Sequence, residues 1–591
     1  MFISSSAIVV VWLLLLIAAR ETISTPTGRG SQDCRCMPND PCWPSSREWN
    51  AFNRTVNGHL VRFRPVGSVC HGRDYNPAGC AFARNSTHDS LWRIAEAGAL
   101  QSVTWETQRY DNGSCFVDTP RPTSCSQGRI PLYGILAHSA QDIQKAVRFA
   151  RQHNLHVAIR NTGHDGIGRS SGLGSFQINV SLLKKMDFAS DFIPQGGGTS
   201  RGSALTLGAG VLGLEALAAG KKEGVNMVTG TCSSVAASGG FVQGGGLGFL
   251  GPAYGIGSDN VLEFEVVTAE GDLVVANEYQ NEDLFWALRG GGGGTFGVVV
   301  RTTIRTYPDV PAVHFLLTAN LPRQQNGTTG SGDQAIWAIT AELTNLLPAL
   351  KRLDNKTSAI IVPRFLEDRA VLEAHVLFVN TSDTGPIEQR LDMMHDALEA
   401  QGLSSAYTSE LTVYPEMSAW LNIPRQLNGG GYGLVEGSVL ISEDLFFSPN
   451  GTSHIMNVLS HLEYIVGDSV EILMSVGGQV KANKDVIESA LLPGWREAEL
   501  LLTIRRTLPP TSLTKTMVNS QLPFVRALQV PSLGVYYNVV DIEQPDSRRA
   551  FWGDNYERLY AVKQRWDPDG LFIVRMGVGS EDWDEEGICR V

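Results

Sequence analysis

The sequence lacks several features that would assign it to a common functional class. It has no long basic run, and its 48 Lys and Arg against 60 Asp and Glu give a net charge of −12. This balance argues against nucleic acid or an anionic membrane surface as a partner. It also has no Cys-x-x-Cys pair, no His-Glu-x-x-His motif and no histidine cluster. No metal site is therefore predicted.

Long apolar runs are also scarce, because the chain has one such run, Ala7–Ala19, which ends at Arg20. The run is short for a bilayer, which needs about 20 residues, and it closes on the small pair Ala18-Ala19. We therefore predict a cleaved signal peptide over residues 1–20, a secreted protein and no obligatory membrane contact. No Lys or Arg precedes the run, so an uncleaved anchor is the alternative.

Cysteine usage also predicts an oxidising compartment. Eight cysteines can form four disulfides, and Cys70–Cys80 and Cys115–Cys125 are plausible short loops. Cys232 lies far from the rest and is the one left over. The eight are Cys34, Cys36, Cys42, Cys70, Cys80, Cys115, Cys125 and Cys589.

Asn-x-Ser/Thr sequons are consistent with a glycosylated secreted protein. They occur at Asn53, Asn85, Asn112, Asn179, Asn326, Asn355, Asn380 and Asn450.

A chain of 591 residues is too long for one hydrophobic core and predicts at least two domains. Residues 21–126 form a cysteine-rich, irregular segment. Residues 127–308 are glycine-rich, with a buried strand at 155–160 and a hairpin at 261–277. Residues 309–530 have longer helices and form a second α+β domain. Residues 531–591 are rich in aromatic residues and contain Asp, Pro and Gly residues typical of turns.

Glycine-rich loops lie at 161–166, 229–232, 239–246 and 290–294. Such loops let backbone N–H groups approach an anion, so a diphosphate cofactor is one hypothesis; the other is that the glycines only end strands. Gly246–Gly251 fits Gly-x-Gly-x-x-Gly, but the glycines that follow do not favour the helix that a Rossmann site requires.

Several motifs occur together and in order: RNTGHD at 160–165, GTCSSVAASGG at 230–240, DLFWALRGGGGGTFGVV at 283–299, YYN at 536–538 and WDPDGLF at 566–572. This set resembles the vanillyl-alcohol-oxidase-type flavoproteins, in their berberine-bridge-enzyme-like branch. The resemblance runs from about residue 130 to the end and is dense at 131–305 and 531–580. The cysteine-rich start and the ending resemble secreted fungal members, including isoamyl-alcohol-oxidase-like and chanoclavine-synthase-like enzymes.

The resemblance implies an α+β fold, with a two-part FAD-binding PCMH-type domain and an α+β substrate domain that contains an antiparallel sheet. Segment 531–591 is then expected to return to the FAD domain. FAD would be bonded to His164 through its 8α-methyl group and to Cys232 through C6. The stretch after Cys232 departs from the family pattern, and the alternative is a small buried thiol beside the flavin. The other implied cofactor-binding residues are Arg160, Asn161, Thr162, Gly163, Asp165, Gly166, Gly230, Thr231, Gly239 and Gly240.

Tyr536 and Asn538 match the family's Tyr-x-Asn element, which implies a catalytic role near the flavin; the alternative for Tyr536 is aromatic packing on a strand. The implied activity is that of a secreted FAD-dependent oxidoreductase, an oxidase or a dehydrogenase, which transfers a hydride from an alcohol, an amine or an activated C–H group to the flavin. Its substrate would be a small organic molecule or secondary metabolite, such as an alkaloid, with O2 as acceptor. A carbohydrate oxidase of the same fold and a non-catalytic secreted glycoprotein are the alternatives.

Overall fold

The computed structural model describes residues 34–107, 115–323, 331–423, 430–508 and 521–591. The predicted signal peptide and the sequons at Asn112 and Asn326 lie outside these ranges. The helices are α1 Ser46–Thr55, α2 Pro77–Ser86, α3 Ser90–Ala95, α4 Ala140–Gln152, α5 Gly213–Lys222, α6 Gly240–Gln243, α7 Gly251–Tyr254, α8 Glu282–Leu288, α9 Ser331–Leu353, α10 Gly385–Ala400, α11 Met417–Leu421, α12 Glu443–Phe447, α13 Gly451–His461, α14 Gly478–Ala482, α15 Leu522–Arg526, α16 Ser547–Trp552 and α17 Tyr556–Trp566. The strands are β1 Leu60–Arg62, β2 Tyr133–Leu136, β3 Val157–Arg160, β4 Phe176–Asn179, β5 Met186–Ala189, β6 Ala204–Gly208, β7 Val225–Asn226, β8 Val261–Val267, β9 Leu273–Asn277, β10 Val298–Arg305, β11 Tyr307–Pro308, β12 Ala312–Pro322, β13 Ser358–Phe365, β14 Arg369–Val379, β15 Thr408–Tyr414, β16 Gly433–Ser442, β17 Asp468–Met474 and β18 Ala498–Leu508.

The glycine-rich part of the chain builds two sheets. The first has the order β1-β2-β4-β3, in which β2, β4 and β3 are parallel and β1 is antiparallel at the edge. The second is antiparallel, with the order β5-β6-β10-β8-β9. The predicted strand at 155–160 is β3 and the predicted hairpin is β8–β9, joined at Gly271 with φ 80°. After Gly251 the chain forms the four-residue helix α7 and turns at Gly255 with φ 91°, so the longer helix of a Rossmann site does not form there.

The second domain is built on a seven-stranded antiparallel sheet, with the order β15-β12-β14-β13-β17-β18-β16. Helix α9 packs across β12, β13 and β14 and contacts α10 and α13. Successive side chains on a strand point to opposite faces. On β18, Leu500, Leu502 and Ile504 therefore pack towards the helices, whereas Thr503 and Arg505 face the FAD domain. This confirms the predicted α+β class with an antiparallel second sheet.

The cysteine-rich segment is more regular than the sequence suggests, because it contains α1 to α3 and contributes β1 to the first sheet. Its disulfides include the two predicted short loops, Cys70–Cys80 and Cys115–Cys125. The remaining pairs, which sequence left open, are Cys36–Cys42 and Cys34–Cys589. Cys232 is buried and unpaired, as its isolation in the sequence predicts.

The sequons differ in accessibility. Asn85, Asn355, Asn380 and Asn450 are exposed, and Asn53 is half-buried. Asn179 does not fit the prediction, because it lies on β4 with 1% of its surface exposed and its side-chain oxygen accepts the backbone N–H and the hydroxyl of Ser181. The folded chain leaves no room for a glycan there. Among the described residues no helix is both long and apolar enough to cross a bilayer.

Candidate active site

A cavity of about 660 Å³ lies between the glycine loops of the FAD domain and strands β16 to β18 of the second domain. Its volume is within the range typical of small-molecule sites. The cavity wall contains all of the predicted site residues except Arg160 and Gly166. The predicted residues that line the cavity are Asn161, Thr162, Gly163, His164, Asp165, Gly230, Thr231, Cys232, Gly239, Gly240, Tyr536 and Asn538.

Arg160 has a structural position that the motif did not reveal. Its fully buried guanidinium donates to the carbonyl oxygens of Arg93, Glu96 and Ala97, with N–O distances of 2.7 to 3.0 Å. It therefore joins the segment after α3 to the end of β3. Its side chain does not line the cavity, contrary to the predicted role in cofactor binding. Gly166 is not on the cavity wall either; it packs against Glu436, where an added Cβ would lie 2.5 Å from Oε1.

His164 and Cys232 are joined through a residue that the sequence did not single out. The Ser234 hydroxyl lies 2.9 Å from His164 Nε2 and 3.4 Å from Cys232 Sγ. Burial lowers the pKa of His164 to about 4, so the imidazole is neutral at ordinary pH. The two predicted attachment side chains thus share one hydroxyl on the same wall of the cavity.

The glycines of the wall leave space that side chains would fill. Gly239 has φ 104°, a conformation that favours glycine, and a Cβ on Gly240 would meet no atom within 4 Å. A Cβ on Gly293, from the five-glycine loop, would lie 3.1 Å from Gly240 Cα. The two loops therefore form a narrow cradle whose backbone can approach a ligand closely.

Several buried polar atoms of the wall lack a partner within the described part of the chain. They are Asn161 Oδ1, Arg169 Nη2 and Gln243 Oε1. Buried polar groups are normally hydrogen-bonded, so this set indicates a polar ligand. A glycine cradle with both donors and acceptors unpaired fits a dinucleotide such as FAD, which carries anionic, hydroxyl and ring groups.

The opposite side of the cavity holds an ionic cluster that sequence reasoning missed. Arg505 Nε donates to Glu436 at 2.9 Å, and Arg505 Nη1 also pairs with Glu471. Burial raises the pKa of Glu436, and Arg505 partly opposes this effect. Charged residues inside apolar strands were the available signal, since Glu436 stands in GLVEGSVLIS and Arg505 in AELLLTIRRTL.

Tyr536 lies near this cluster and is held by the residue predicted with it. Its hydroxyl accepts N–H groups from Asn538 Nδ2 at 3.1 Å and from the Leu247 backbone at 3.4 Å. Burial raises the pKa of Tyr536, and the charge on Glu436 contributes in the same direction. The phenol is therefore protonated, and its O–H group can donate a hydrogen bond to a ligand in the cavity.

A glycine-cradled dinucleotide site that faces an ionic sheet across one cavity defines a two-domain flavoprotein. Comparison with known proteins agrees: a family model described as "FAD binding domain" matches residues 131–277, and one described as "Berberine and berberine like" matches 535–579. The chain belongs to the vanillyl-alcohol-oxidase/berberine-bridge-enzyme-like family of FAD-linked oxidoreductases, and FAD is its cofactor.

The relatives match nearly the whole chain. "Flavin-dependent oxygenase ucdF" of Aspergillus ustus is 60% identical over 542 residues, which cover 92% of this chain and 98% of that protein. "FAD-linked oxidoreductase malF" of Malbranchea aurantiaca is 39% identical over 585 residues, covering 97% and 96%. The crystal structure of the VAO-type flavoprotein MtVAO615 from Myceliophthora thermophila C1 has a TM-score of 0.79 and 30% identity, covering 94% of this chain and 100% of that one.

Proposed function

We propose that this protein is a secreted oxidase with covalently bound FAD. It takes a hydride from an alcohol, an amine or an activated C–H group of a small organic substrate and passes two electrons to O2. The observation that carries this proposal is the arrangement around one cavity: His164 and Cys232 on the flavin-domain wall, and Glu436 and Tyr536 towards the sheet. FAD, when bound, supplies the hydride acceptor.

The attachment residues are chemically suited to this role. His164 is neutral because burial lowers its pKa to about 4, and a neutral imidazole has a nitrogen lone pair available for bonding. Cys232 is the free cysteine of the described chain. We propose bonds from His164 to the flavin 8α-carbon and from Cys232 to C6. The anionic part of FAD would lie on the backbone of 161–165 and 229–240.

Glu436 and Tyr536 would handle the substrate proton. Glu436 is a buried carboxylate. Its ion-pair partner, Arg505, is shared with Glu471. It is placed to accept the proton that leaves an O–H, N–H or C–H group of the substrate. The Tyr536 phenol, which Asn538 orients, would donate a hydrogen bond that positions the same substrate.

The rest of the sheet side carries apolar and polar side chains together. The apolar ones are Leu366, Leu434, Val466, Leu473 and Leu501, and the polar ones include Arg364, Ser469, Thr503 and Thr507. This mixed lining suits a small organic substrate with an apolar skeleton and a polar reacting group. The use of O2 is supported by the name of the Aspergillus ustus relative, which is a flavin-dependent oxygenase. Secretion is supported by the four disulfides, which persist in oxidising compartments.

Acid denaturation of the purified protein tests the covalent proposal. Flavin fluorescence should remain on the denatured protein band, and His164→Ala and Cys232→Ala should each keep one of the two bonds. Release of all flavin into the supernatant would show that neither bond exists.

A peroxide-coupled screen over alcohols, amines, sugars and indole compounds then tests the activity. We expect peroxide from a small organic alcohol or amine. A protein that carries no flavin chromophore and produces no peroxide would instead be a non-catalytic member of the family.

A further inference from the structure

We infer that Ser234 is the positioning residue that prepares both His164 and Cys232 for attachment to the flavin. The inference rests on the proposed covalent function and gives a role to a residue of the 230–240 motif that the sequence analysis did not single out. Ser234 is 1% exposed, and its hydroxyl lies between the two side chains, 2.9 Å from Nε2 and 3.4 Å from Sγ. Water from bulk solvent cannot replace this hydroxyl at such a depth.

The backbone fixes the position of Ser234. A turn places it just after Cys232, because the Val235 N–H donates to the Cys232 carbonyl at 3.2 Å. The next residues are fastened to the start of α5: the Val235 carbonyl accepts the Gly213 N–H at 2.8 Å, and Ala237 N–H donates to the Val211 carbonyl at 2.9 Å. The hydroxyl therefore has little freedom to move away from the attachment atoms.

The hydrogen-bonding capacity of serine explains how one group serves both side chains. A hydroxyl has one proton to donate and can accept others. If His164 donates Nε2–H to Ser234 Oγ, the hydroxyl proton points to Cys232 Sγ. In that tautomer His164 holds its lone pair on Nδ1. The hydroxyl thereby keeps Nδ1 as the nucleophilic nitrogen of His164 and holds Cys232 Sγ in place beside it.

The two attachment reactions balance with O2 as oxidant. For His164, a C–H bond of the 8α-carbon and the imidazole N–H bond break, and a C–N bond forms. For Cys232, the C6–H and S–H bonds break, and a C–S bond forms. Each reaction releases two electrons and two protons, and one O2 accepts them to leave as H2O2. Ser234 receives the proton lost from Nε2–H and releases its own hydroxyl proton, so it is itself unchanged. The S–H proton of Cys232 passes directly to the H2O2 that is formed.

Peptide mapping of the denatured holoprotein tests the inference, since doubly attached flavin joins the peptides of His164 and Cys232 into one species. In Ser234→Ala we expect the joined species to fall at least tenfold, with singly attached or free flavin in its place. Ser234→Thr keeps the hydroxyl and should restore the joined species. Ser238→Ala is the matched control, because Ser238 is equally buried in the same segment but donates to Thr302 at 2.7 Å.

The outcomes separate this inference from the proposed function. If wild-type protein shows the joined species and Ser234→Ala shows as much, the role of Ser234 is refuted while the covalent flavin stands. If wild-type protein releases all of its flavin, the covalent proposal fails first. If Ser234→Ala does not fold, Ser234→Thr decides: a stable Thr variant without the joined species refutes the inference.

Discussion

Replacing Glu436 with Gln changes the charge of the cavity without changing its shape. Glu436 and Glu471 share Arg505, so the cluster carries one net negative charge when both carboxylates are ionised. Gln retains an oxygen that can accept the Arg505 Nε–H, which lies 2.9 Å away in the native protein. The substitution therefore removes a base and keeps a hydrogen bond.

The expected effects on rate and on stability differ in size. General-base catalysis contributes about 10²- to 10⁴-fold, so kcat should fall by that factor, which corresponds to roughly 3 to 5 kcal/mol. The free energy of unfolding should change by only about 1 kcal/mol, because Arg505 keeps Glu471 and a neutral acceptor. In contrast, Arg505→Met would leave two buried carboxylates unpaired and should cost about 3 to 5 kcal/mol of stability.

Steady-state peroxide production and anaerobic flavin bleaching would measure the rate, and urea unfolding the stability. Because burial raises the pKa of Glu436, the basic form appears only above that raised pKa, so activity should increase with pH through it. The Gln variant should lose this limb of the profile and keep its flavin. A Glu436→Gln rate within threefold of wild type, with the limb intact, would refute the assignment of Glu436 as base.

Two further predictions concern binding and stability. Gly240→Ala points a methyl group into empty space on the cavity wall, so it should cost about 1–3 kcal/mol of cofactor binding and leave the fold as stable as before; the flavin-to-protein absorbance ratio and thermal unfolding would check this. Burial lowers the pKa of His156 to about 4, so the unfolded chain takes up the proton first and stability should decrease as pH falls from about 6.5 to 4, by up to about 3 kcal/mol. His156→Asn, whose amide nitrogen takes the place of Nδ1 and can donate to the Leu173 carbonyl, should flatten that dependence in urea unfolding at pH 7 and pH 4.5; an unchanged slope would exclude His156 as its source.

Sequence was most informative where local pattern decides local structure. The apolar run at 155–160 and the alternating run at 261–277 each form the predicted strands, because burial of one or both faces is encoded in neighbouring residues. The ordered glycine motifs likewise placed His164 and Cys232 on one cavity. Cysteine spacing identified the two short disulfide loops but had no means of pairing Cys34 with a residue 555 positions away.

The sequence could not predict the direction in which a side chain points, its burial, or its contacts with residues far away in the chain. The motif that contains Arg160 does not say which way its side chain points, and it points to the carbonyls after α3. A sequon reports three residues and not burial, which is why Asn179 was included. Glu436 and Arg505 meet only because β16 and β18 are neighbours in the sheet.

The disulfide between Cys34 and Cys589 joins two cysteines that are 555 positions apart in the chain. A polypeptide that stops anywhere before Cys589 keeps an unpaired thiol at Cys34, however well its glycine loops have folded. If such a polypeptide ends before Tyr536, it also lacks the part of the cavity wall that this tyrosine forms. Because this disulfide needs both thiols, the disappearance of the free Cys34 thiol reports that the C-terminal segment carrying Tyr536 is present.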